Sequence, residues 1–88
     1  MTPENAEVLA FEGLGWLAGE EDGIQRFLGH SGIDPAELRE AAGNPETGAA
    51  VLDFLLGDEK LLLRFCEHAH VSPKQLHLAR HRLVGEME

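Results

Sequence analysis

A single cysteine, no long apolar run and only seven basic side chains set the first limits on this 88-residue chain. With Cys66 alone there is no internal disulfide, so stability has to come from packing, and a reducing compartment is the natural setting. No apolar stretch approaches the ~20 residues of a membrane-spanning helix. The opening MTPENAE is acidic, unlike the basic-then-apolar start of a secretory leader, so a cytoplasmic, bacterial protein is the expectation. Period-two alternation never persists, and no Asn-Gly or Asp-Gly stands between β-branched runs, so strands are not expected. Seven basic residues against 16 acidic ones give a net charge of −9, which opposes nonspecific attachment to a phosphate backbone.

What is present is ordinary for one globular domain spanning residues 1–88: 43% hydrophobic and 26% charged. A chain of this size buries roughly 60–65% of its unfolded surface, enough for one modest core. Charge is unevenly spread. Through Glu59 there are 13 carboxylates against Arg26 and Arg39, a balance of −11. From Lys60 onward five basic residues face three glutamates, a balance of +2. The chain is therefore an acidic body with a mildly basic, histidine-containing end.

An offset of 38 residues aligns Leu14–Ala42 with Leu52–Arg80. Leu14, Leu17, Gly19, Glu21, Arg26, Phe27, His30, Pro35, Leu38 and Ala41 meet Leu52, Leu55, Gly57, Glu59, Arg64, Phe65, His68, Pro73, Leu76 and Ala79, ten identities in a 29-residue window. Such a period predicts two copies of a three-helix unit, about 5–43 and 44–85, packed on each other.

Local signals predict an all-α fold, a compact bundle of five to six short helices. Thr2-Pro3 reads as cap and first helical residue, and Val8, Leu9, Phe11, Leu14 and Leu17 follow at near-helical spacing up to Gly19. A second helix is expected from about Glu20 to His30, with Glu20, Glu21 and Asp22 in its first turn and Gly32 as its stop. The third opens with Asp34 as cap, Pro35, Glu37 completing a capping box, and an Ile33–Leu38 staple; Gly43 ends it. Asn44-Pro45 starts the fourth, which reaches Gly57. Asp58 caps the fifth, whose Leu61, Leu62, Leu63, Phe65 and Cys66 mark it as the centre of the core. Val71–Leu76 repeats the device of Ile33–Leu38 and launches a sixth helix to about Val84, with fraying expected from Gly85 to Glu88. The expected core is Leu14, Leu17, Ile24, Phe27, Leu38, Leu52, Leu55, Leu62, Phe65, Leu76 and Leu83.

The run from Val51 to Glu59 into Leu62-Leu63-Arg64-Phe65-Cys66, with Arg26-Phe27-Leu28 and Gly32-Ile33-Asp34-Pro35, resembles a small alphaproteobacterial family. That family is known as a domain of unknown function, number three-five-seven-two. The resemblance runs from about Ala6 to Leu83 and rests on caps and core positions. It implies a soluble, intracellular bacterial protein and carries over no functional residue.

Chemistry-bearing residues are few. Cys66, His70, His77 and His81 form two i, i+4 pairs on neighbouring helices, the spacing a Cys-His₃ zinc site would use. Competing readings are stronger, and no metal or cofactor is expected. Cys66 stands where the first copy has Leu28, and His77 and His81 lie among Lys74, Arg80 and Arg82 on what should be a solvated face. A cysteine nucleophile is disfavoured because three leucines and a phenylalanine precede it, and burial quiets a thiol. Gly13-Leu14-Gly15 follows no strand and is better read as close helix approach, or a weakened helix beside Trp16, than as a phosphate cradle. Trp16, aligned with Phe54, reads as a core anchor, or as a partner contact if it lies exposed beside Phe11. With no catalytic constellation, an enzyme is not expected. Two functions remain: a protein-interaction or adaptor module, and a small regulatory domain touching nucleic acid through its basic end. The first is preferred, with an unidentified protein partner meeting Lys74, His77, His81 and Arg82.

Overall fold

The computed structural model describes residues 1–87, and every regular element among them is a helix. α1 spans Pro3–Gly19, α2 Gly23–Ser31, α3 Leu38–Ala41, α4 Pro45–Leu56, α5 Glu59–Ala69 and α6 Pro73–Glu86. Glu88 lies outside the described residues, so the expectation that the end frays is limited to Gly85–Met87. There it is corrected, because the helix continues through Glu86.

Three of the helix starts follow from their caps. Thr2 Oγ1 accepts the Asn5 N–H at 3.1 Å, and Pro3 follows at the position that needs no donor. Asp58 Oδ1 accepts the Leu61 N–H at 3.2 Å. At α6 the full box forms: Ser72 Oγ accepts from Gln75 N at 3.4 Å while Gln75 Oε1 accepts from Ser72 N at 2.8 Å.

The matching device at Asp34 does not form. Asp34 Oδ1 accepts the Ala36 N–H at 2.9 Å, two residues on, and Pro35–Glu37 stay in turns. That local Asx turn uses the side chain the cap needed, so α3 is a single turn with no side-chain cap and no fully buried residue. α2 also starts later than expected. Asp22 takes a left-handed conformation (φ 59°), and Glu20–Asp22 form the reversal before the helix. Gly23 is demanded by that reversal: a Cβ there would lie 2.5 Å from the Leu17 carbonyl oxygen.

The centre of the core is α4, not α5. α4 buries Thr47, Gly48, Ala49, Val51, Leu52, Phe54 and Leu55, whereas α5 turns Leu63 outward, 53% exposed. The difference is position: α4 packs between α1 and α6, which also touch each other, while α2 and α5 lie at the periphery. Among the expected core residues, Leu17, Phe27, Leu52, Leu55, Leu62, Phe65, Leu76 and Leu83 are buried; Leu14, Ile24 and Leu38 are half-buried against them. Ala6, Leu9, Ala10, Ala49, Val51, Phe54, Leu61, Cys66 and Ala79 complete the core.

Small residues let the central helices approach. A Cβ on Gly48 would sit 3.1 Å from the Ala10 Cβ and 3.0 Å from Leu83 Cδ1. Around that crossing, contacts recur at the 38-residue offset with the halves exchanged. Phe27 meets Phe54 edge-on at 5.8 Å between ring centres, and Phe65 meets Trp16 at 5.7 Å. Arg26 pairs with Asp58 at 2.9 Å, and Arg64 meets Glu20. Each arginine also lies over an aromatic ring, Arg26 over Phe54 at 6.0 Å and Arg64 over Trp16 at 5.6 Å. The third helices break this correspondence: α3 has four residues and α6 has 14.

Candidate functional site

Leu76, Ala79 and Leu83, at helical spacing on α6, are fully buried and fix which way that helix faces. The opposite side therefore presents Lys74, His77, Leu78, His81 and Arg82 to solvent. Arg80 leaves this set: its Nε hydrogen-bonds Asp53 on α4, so its charge is paired at the surface within the chain. Among the described residues Lys74 and Arg82 form no ion pair. The four side chains assigned to partner binding thus share one exposed helix face, and Leu78, 45% exposed, stands in their midst. Leu78 was missed in the sequence because its neighbours suggest a solvated stripe. Its signal is its place between Lys74 and Arg82 and off the Leu76–Ala79–Leu83 line.

The Cys66, His70, His77 and His81 set is not assembled. Cys66 faces the core at 6% exposure, and burial pushes its thiol up from its ordinary value, which keeps it protonated at neutral pH. His70 occupies the left-handed residue that ends α5 (φ 57°), and His77 and His81 point outward from α6. No group of three or more His, Cys, Asp or Glu side chains among the described residues is arranged to hold a metal ion.

Trp16 is half-buried: it packs on Phe65 and carries Arg64 on its ring, so it is an anchor and does not join Phe11 in an exposed pair. Beside it, Glu12, Gly15, Gly19, Glu20, His68 and Ala69 line an open cleft between α1 and α5. Glu20 Oε1 abuts the Arg64 guanidinium there without the alignment of a hydrogen bond. Phe11 and Val8 are instead exposed on α1, at 53% and 55%. Their spacing alone predicts a place on the periodic apolar face of α1. The core-facing line is in fact Ala6, Leu9, Ala10, Gly13 and Leu17, whose small members are easily overlooked in favour of large apolar ones.

No helix among the described residues is long and apolar enough to cross a membrane. The family model described as Protein of unknown function (DUF3572) matches residues 3–86. No curated protein and no solved structure matches the chain.

Proposed function

We propose that this chain, which belongs to the family Protein of unknown function (DUF3572), is a non-enzymatic protein-interaction module whose contact surface is the outer face of α6. One observation carries the reading. In a chain of net charge −9, Lys74 and Arg82 stand on the exposed side of one helix with no ion pair among the described residues, and His77, His81 and a half-exposed leucine lie between them. Such cations beside an apolar side chain on a rigid helix suit an acidic partner surface: charge steers the encounter and the apolar contact holds it. Because Leu76, Ala79 and Leu83 lock α6 in place, the face is presented without rearrangement.

Affinity capture from lysate of a native host, with wild-type chain and with Lys74→Glu/Arg82→Glu side by side, tests the proposal. A protein recovered by the first and lost with the second supports it. Recovery of nucleic acid alone, released by moderate salt, would overturn it, as would a protein partner held equally by both chains.

A further inference from the structure

On α1, Glu4, Val8 and Glu12 stand at four-residue intervals on the exposed side, a carboxylate, an apolar residue and a carboxylate. On α6, Lys74, Leu78 and Arg82 stand at the same intervals on the exposed side, a cation, an apolar residue and a cation. Each triplet spans about 12 Å along its helix at 1.5 Å per residue. Phe11, 53% exposed, widens the apolar part of the first stripe, and exposed Gly15 leaves no side chain to obstruct an approaching helix. His77 and His81 flank the second. The two stripes are complements in charge, in spacing and in the placing of their apolar residue.

We infer that the partner of the α6 face is a second copy of this chain, with α6 of each protomer lying antiparallel on α1 of the other. In that register Arg82 meets Glu4, Leu78 meets Val8 and Phe11, and Lys74 meets Glu12. Within one protomer no ion pair joins the two stripes among the described residues, where the pairs are Arg26–Asp58, Arg64–Glu20 and Arg80–Asp53. The two helices nevertheless adjoin: Pro3 shares a surface cleft with His81, Arg82, Gly85 and Glu86. In a two-fold dimer the contact is made twice, each α1 lying against the other copy's α6. The interface is closed and isologous, so it yields a dimer and no filament. The inference rests on the reading of the α6 face as a contact surface.

Sedimentation equilibrium of the full chain tests it, in low salt and in about 0.5 M salt, where exposed ion pairs are screened. A dimer is expected in low salt, with dissociation at least about tenfold stronger in high salt. Lys74→Glu/Arg82→Glu and Glu4→Lys/Glu12→Lys, all at exposed positions, should each be monomeric because like charges then face each other in both contacts. Mixed in equal amounts, the two variants should form a heterodimer, since both contacts again pair opposite charges. A chain monomeric at every concentration overturns the inference, as does a homodimer indifferent to both reversals or a mixture that does not associate. If the chain stays monomeric while capture of another protein still depends on Lys74 and Arg82, only the second-copy inference falls. Dimerisation restored by mixing, with no other protein captured, leaves this inference standing and removes the adaptor role.

Discussion

Gly13 of α1 faces Val51 of α4, its counterpart 38 residues on, so closely that a Cβ on the glycine would lie 3.1 Å from Val51 Cγ1 and 3.2 Å from Leu55 Cδ1. The two helices meet through an absent side chain. Gly13→Val places three carbons in that gap, and overpacking of this kind costs about 1–3 kcal/mol. Urea denaturation measures it. An unchanged midpoint would show that α1 and α4 can separate freely.

Phe65 is fully buried and holds Trp16 against the core. Phe65→Ala should cost about 3–5 kcal/mol, a large share of a small domain's stability. Leu63, two residues earlier on the same helix and exposed, serves as the control: Leu63→Ala should stay within about 0.5 kcal/mol of wild type. Equal effects from the two substitutions would contradict the orientation of α5.

The two cap-proline devices should differ in their response to mutation. Ser72→Ala removes a formed capping box and should cost about 1 kcal/mol. Glu37→Ala, at a position where no box exists, should change stability by less than about 0.5 kcal/mol. Thermal melts of the pair decide this, and a substantial loss on replacing Glu37 would mean the box forms at both ends in solution.

Asp58 supplies an acid-sensitive contribution. The Leu61 N–H and the Arg26 side chain hydrogen-bond its carboxylate and hold its pKa below the ordinary value. The folded state thus favours the charged form. Its contribution is complete above the ordinary carboxylate range and disappears as pH falls through the depressed value. Asp58→Asn should therefore be less stable than wild type at neutral pH, with the difference closing below about pH 4. A difference independent of pH would assign the effect to shape instead of charge.

Much of the helix punctuation was legible because it is local. Thr2-Pro3, Asp58 and Ser72-Pro73 each place a side-chain acceptor three residues before an orphan N–H, a relationship contained in a few consecutive residues. The same logic failed at Asp34, where a hydrogen bond to Ala36 competes with the cap over an even shorter distance and α3 offers no fully buried face to outweigh it. The location of the exposed stripe on α6 was readable from its spacing, although Leu78 within it was not.

From its sequence alone the chain is determined to be helical, strand-free and charge-polarised, since periodicity, prolines and charge order act over short distances along the backbone. Tertiary structure decided which apolar residues are core and which are surface. Val8 and Phe11 have the same local character as Leu9 and Leu17, and only the helices packed around α1 cover one set and leave the other bare. It likewise decided that Arg80 pairs with Asp53, while Lys74 and Arg82 form no ion pair among the described residues. An ion pair between residues 27 positions apart depends on how α6 lies across α4, and burial of that interface, not the local sequence, sets the distance.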